Sequence, residues 1–149
     1  ARIFSFANGR LIQGGKNAML ETGVNVPLIV RWPFHVAPNT ATNELMDFTD
    51  ILPTLAEVAG YQIPASADVQ GTSFMSILNG EAGNRDWIYS QYNTKWAVRD
   101  KRWKLSNDNI LIDLMEDPYE ENPISESQDN VESAGRRIIL QGYYDDLVN

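Results

Sequence analysis

Apolar and polar positions alternate along this chain in three textures. Residues 2–6 and 24–31 are nearly continuous apolar runs rich in Ile and Val, closed by turn residues or by Pro33. Such runs read as strands buried on both faces. Between them lies a loop that bends at Asn8-Gly9 and again at Gly14-Gly15. Beyond the proline-punctuated linker "WPFHVAPNT", Phe48, Ile51, Leu52, Leu55, Val58 and Ala59 share one stripe of helical period, which predicts a core-facing helix over 49–59. Thr49 or Asp50 can cap it, Pro53 falls in its first turn at little cost, and Gly60 can end it.

A short helix is expected over 73–78, stopped by Asn79-Gly80. From Trp87 the segments shorten to "WIYSQYN", "KWAVRD", "RWKLSN" and "ILIDLM", aromatic and β-branched with polar turns between them, the pattern of an antiparallel meander. The acidic, proline-containing loop "EDPYEENPISES" leads to a final helix over 129–147, with Val131, Ala134, Ile138 and Tyr143 or Tyr144 inward. Gly135 and Gly142 weaken its intrinsic propensity. These elements make a mixed α+β fold, divided into residues 1–84 and a C-terminal antiparallel subdomain over 85–149.

Composition narrows the chemistry. With 149 residues and 43% apolar content the chain can bury a core. Twenty acidic against twelve basic residues give a net charge of -8, which repels phosphate backbones and anionic lipid, so neither nucleic acid nor a membrane surface is an expected partner. No run of about eighteen apolar residues is present to span a bilayer. Zero cysteines exclude disulfides, thiolate zinc sites and a thiol nucleophile. The compartment stays open, although the lack of an Asn-x-Ser/Thr sequon favours a bacterial origin, cytoplasmic or periplasmic. The chain begins with Ala1 and enters an apolar run at once, which suggests a start inside a larger protein.

Candidate catalytic groups are few. The single histidine, His35, sits in the proline-rich linker with no second histidine to share a metal and no serine elbow to serve, and reads as structural. The run Glu116, Asp117, Glu120 and Glu121 lacks the alternating oxygen-ligand spacing and glycine of a calcium loop, so a solvated loop is expected. "AVRDKRWKL" places Arg99, Lys101, Arg102 and Lys104 between two tryptophans, where an anion or a base could dock. A hairpin with Asp100 and Lys101 at its tip explains it more simply. Lys16, directly after Gly14-Gly15, reads first as an exposed charge on a turn. Glycines also let a backbone approach a ligand closely, and an ammonium there suits a tetrahedral oxyanion.

Four segments in order, "GGKNAMLETGVNVPLIVRWP", "MDFTDILPTLAEVAG", "WAVRDKRWKL" and "LIDLMEDPYEENP", resemble the C-terminal part of the arylsulfatase-type sulfatases of the alkaline phosphatase superfamily. The resemblance implies the end of an alkaline-phosphatase-like mixed sheet over 1–84, followed by a small antiparallel sheet packed on a C-terminal helix. It implies a sulfuric ester hydrolase with a formylglycine nucleophile and a calcium ion. On it, Lys16 takes the place of the lysine that contacts the sulfate and the leaving oxygen, and Asn8 that of a metal-ligand asparagine.

Departures from the family pattern qualify these roles. Ala7 stands where the family has an aspartate, which weakens the calcium site; Asn17 and Thr22 replace glycines of the lysine loop. No Cys/Ser-x-Pro-Ser-Arg occurs in the 149 residues, so formylglycine is absent and the chain alone is expected to be catalytically incomplete. A small anion such as a sulfate ester is then bound only when an N-terminal part completes the site. Two alternatives stand beside this reading: a non-catalytic assembly or binding protein that kept the fold, which Ala7 favours, and a phosphoester or phosphonate hydrolase fragment of the same superfamily. Uncovered strand edges further predict a homo-oligomer or a partner chain.

Overall fold

A computed structural model describes residues 4–7 and 9–148. In chain order the elements are β1 (Phe4–Ala7), β2 (Arg10–Gln13), the single helical turn α1 (Glu21–Val24), α2 (Ile51–Val58), α3 (Met75–Leu78), β3 (Ile88–Tyr92), β4 (Lys95–Arg99), β5 (Trp103–Ser106), β6 (Leu111–Asp113) and α4 (Val131–Val148). The class is α+β, with both sheets antiparallel among the described residues. The chain forms two compact units, Ala1–Leu28 with Tyr89–Asn149, and Ile29–Ile88. Within the first of these, Arg10 and Glu21 pair with charges of the C-terminal segment.

In the first unit, β1 and β2 form a hairpin with Phe4 opposite Gln13 and Ala7 opposite Arg10, turned through Gly9 at φ +78°. A bend is expected at this point, but the segment after it, expected as loop, is β2. The expected burial is not met: Phe4 and Phe6 are exposed. Residues 24–31, expected as a strand, run irregularly after α1, with Val26, Leu28, Ile29 and Val30 exposed. A buried parallel strand exists only between neighbours that take up its hydrogen bonds, and among the described residues no strand pairs with this segment.

The meander is as predicted, in the order β3-β4-β5-β6. At the β4–β5 turn the Asp100 carboxylate accepts hydrogen bonds from the backbone N–H groups of Arg102 (2.7 Å) and Trp103 (2.6 Å). Val98, Leu105, Leu111 and Leu140 are fully buried and make the core between the sheet and α4. The buried face of α4 is Ser133, Arg137 and Leu140, continued by Tyr144 stacked on Trp96 with ring centroids 3.8 Å apart. Val131 and Ile138, predicted inward, are exposed. Polar locks set this rotation. Asn130 and Ser133 cap each other reciprocally at 2.8 and 2.9 Å, and Arg137 forks onto Asp129 at 2.7 and 2.9 Å while also donating to the Ile124 carbonyl.

In the second unit, a 3-10 turn over Phe48–Asp50 leads into α2. The cap is Asp47, not Thr49 or Asp50: its side chain accepts from Thr49 N–H while Asp50 reaches back to the Asp47 N–H, a capping box. Pro53 lies in the first turn, and Gly60 ends the helix at φ +66°. The stripe predicted to face a core is turned outward, with Phe48 74% and Leu55 59% exposed, alongside Leu52 and Val58. Asp50 and Thr54 are buried instead. The Thr54 hydroxyl donates to the Asp50 carbonyl (2.6 Å) and accepts from the Phe74 N–H (3.0 Å), tying α2 to the start of α3. The Asp50 carboxylate accepts from Asp47 N–H (2.8 Å), Thr72 N–H (2.7 Å) and the Arg85 guanidinium (2.6 Å from Nε).

Candidate functional site

Lys16 sits on a turn built by backbone contact. The Ala18 N–H donates to the Gly15 carbonyl at 2.8 Å, and Asn17 takes a left-handed φ of 67°. A Cβ on the buried Gly15 would lie 2.6 Å from the Gly23 nitrogen, and one on Gly23 would collide with the Gly15 carbonyl. Two glycines are therefore required where residues 15–18 fold onto 22–23. The turn leaves Lys16 exposed, and its ammonium has no ion-pair partner among the described residues. Asn8 lies outside the described residues.

Behind the turn the chain drops into a buried set of charges that the sequence reading did not assemble. Glu21, first residue of α1, accepts from the Arg99 guanidinium and from Lys104 Nζ (3.3 Å). Its own backbone N–H donates to Glu120 (2.7 Å), and the second Glu120 oxygen accepts from Lys104 Nζ at 2.7 Å. The Lys104 and Glu120 side chains are only 3% and 4% exposed. Arg99 and Lys104 are directly opposed across β4 and β5. Like charges in that register repel, and Glu21 set against both offsets this. The one signal available in sequence was a cation on either side of the predicted turn together with excess acid at 116–121.

The acidic run is only in part the solvated loop expected: Asp117 is buried and accepts from the Glu121 (3.0 Å) and Asn122 (2.7 Å) N–H groups, and Glu120 is in the ion cluster. Glu116 and Glu121 are exposed, and Glu121 pairs with Arg10 at 2.5 Å. The cations of "AVRDKRWKL" are likewise committed. Arg102 forks onto Asp113 (2.7 and 3.0 Å) and reaches Glu132 (2.9 Å); its hydrogen bonds and charge outweigh burial and hold the Asp113 carboxyl below the usual range. Arg99 and Lys104 face inward charges rather than a groove. His35 is exposed, its ring stacked on Trp32 at 4.3 Å. Among the described residues no group of three or more His, Asp or Glu side chains could hold a metal ion.

Comparison with known proteins points to one family over most of the chain. The family described as N-sulphoglucosamine sulphohydrolase, C-terminal, matches residues 14–137. The ulvan-active sulfatase of Formosa agariphila is 31% identical over 113 residues, 68% of this chain and 22% of that protein. Arylsulfatase A of Bos taurus is 32% identical over 127 residues, 77% of this chain and 25% of that protein. Among solved structures, a 2-O GAG sulfatase superposes with a TM-score of 0.54 at 24% identity, over 66% of this chain and 24% of that one. The chain spans about a quarter of the length of the curated relatives it matches. With the glycine-built lysine turn, the antiparallel meander and the packed terminal helix in the expected order, the chain belongs to the sulfatases, in the family of N-sulphoglucosamine sulphohydrolase C-terminal regions.

Proposed function

We propose that the chain is the C-terminal segment of a sulfuric ester hydrolase, catalytically incomplete by itself, in which Lys16 contacts the sulfate and its leaving oxygen. The observation that carries this is the exposed ammonium of Lys16, without an ion-pair partner among the described residues, on a turn closed by Gly15 against Gly23, in a chain of this family. A fixed positive charge beside a sulfate ester stabilises negative charge that grows on the leaving oxygen, most strongly once substrate has displaced water. Calcium, which the family resemblance implies, would find Asn8 here as its one expected ligand, with Ala7 offering none. The nucleophile has to come from outside these residues, which hold no Cys/Ser-x-Pro-Ser-Arg.

The outward faces support a partner reading. Phe48, Leu52, Leu55 and Val58 on one unit, and Val26 and Leu28 on the other, are apolar surface of the kind that another chain segment covers. In sedimentation the isolated chain is expected to self-associate; a monomer at micromolar concentration overturns this.

The test of Lys16 is a titration of the chain with sodium sulfate, following the Lys16 amide and side-chain resonances. A saturable shift in the parent chain, lost in Lys16→Ala, is expected. No shift, or an unchanged shift in Lys16→Ala, refutes the role and leaves the non-catalytic reading that Ala7 favours. A parallel assay of the purified chain on an aryl sulfate is expected to show no turnover; hydrolysis removed by Lys16→Ala would overturn incompleteness.

A further inference from the structure

We infer that the cluster Glu21, Arg99, Lys104 and Glu120 is the positioning device for Lys16, an inference that rests on reading Lys16 as the anion contact. Four charges packed together, two of them fully buried, are a poor route to stability, because apolar residues of similar volume often do as well or better. What such a cluster does supply is a fixed geometry, and here its fixed point is Glu21, at the end of the lysine loop. Glu21 carries three of the bonds: its carboxylate takes Arg99 and Lys104, and its N–H is held by Glu120. From Glu21 the constraint passes back through short local links. Gly23 and Val24 N–H groups bond the Leu20 carbonyl at 2.7 and 3.0 Å, Gly23 packs against Gly15, and Gly15 holds Ala18.

A second observation points the same way. Glu120 adopts φ +58°, a left-handed conformation that a glutamate takes only at a cost in strain. That conformation sends its two oxygens to separate places, one to Lys104 and one to the Glu21 N–H. With two acids and two bases the cluster is neutral overall, so it orients the loop without adding a competing net charge near Lys16.

The experiment compares Glu120→Gln and Glu21→Gln with Glu121→Gln, which neutralises the neighbouring exposed acid and leaves the cluster intact. Amide hydrogen exchange is followed at Ala18, Gly23 and Val24 in the loop and at Leu111 in the sheet, and sodium sulfate is titrated into each variant. Either cluster variant is expected to speed loop exchange about tenfold and weaken sulfate binding comparably, with Leu111 and Glu121→Gln unchanged. Unchanged loop exchange in both cluster variants overturns the inference, as does equal acceleration at Leu111, which would make the cluster a general stabiliser. If the parent chain shows no saturable sulfate shift while the cluster variants still loosen the loop, the reading of Lys16 falls and the positioning of its loop stands.

Discussion

Asp50→Ala is the sharpest perturbation of the second unit. The carboxylate is 1% exposed and accepts four hydrogen bonds, two from backbone N–H groups and two from Arg85. Truncation strands the guanidinium and opens the capping box. Breaking a buried pair from one side costs about 3–5 kcal/mol, and the lower figure applies because Arg85 keeps 19% side-chain exposure and can turn toward water. A unit of about 60 residues has roughly 3–9 kcal/mol of stability in all. The variant therefore stands near the edge of unfolding, and with an m-value of about 1 kcal/mol/M its urea midpoint falls by about 3 M. Urea titration followed through the Ala59 and Leu78 amide resonances reads this directly. In the cycle with Arg85→Ala a coupling of about 2 kcal/mol is expected. A loss under about 1 kcal/mol, or a coupling near zero, would show that the pair does not hold the unit together. The pH dependence has a definite sign. Burial raises the Asp50 carboxyl, but the bonds from Arg85, Thr72 and Asp47 outweigh it and leave the folded value below the ordinary 3.8. Its contribution is complete above 3.8 and is lost as pH falls through the lower folded value.

Thr54→Val keeps the shape of α2 but leaves the buried Phe74 N–H without its acceptor, so a loss of about 1–3 kcal/mol is expected by the same urea titration. Gly15→Ala drives a methyl into the Gly23 backbone; loss of the native Ala18 and Gly23 amide positions in the NMR spectrum is expected, with the β4–β5 signals retained. Tyr144→Ala removes the ring stacked on Trp96 and should cost about 1 kcal/mol while changing near-ultraviolet circular dichroism. Lys16→Ala should leave thermal stability within about 0.5 kcal/mol of the parent, since the lysine is exposed and has no ion-pair partner among the described residues.

Sequence alone determined the local features. The bend at Gly9, the meander over 88–113, the stops at Gly60 and Gly80 and the extent of α4 all follow from backbone preferences and short-range hydrogen bonds, which neighbouring residues carry with them, whereas the pairing of β2 with β1 was not legible. The family was legible for a related reason, because its segments keep their order and spacing. Tertiary structure decided what each element faces. The α2 stripe and the 24–31 run are apolar in sequence, yet burial needs a second surface, and these faces meet none in the described structure. The rotation of α4 was set by Ser133 and Arg137 against Asn130 and Asp129, polar locks that override the apolar period. The setting of Lys16 depends on Glu21 meeting Arg99, Lys104 and Glu120, up to 99 residues away. No local pattern encodes that meeting: it exists only once the hairpin, the meander and the acidic loop converge, and a charge is placed by whatever surrounds it in space.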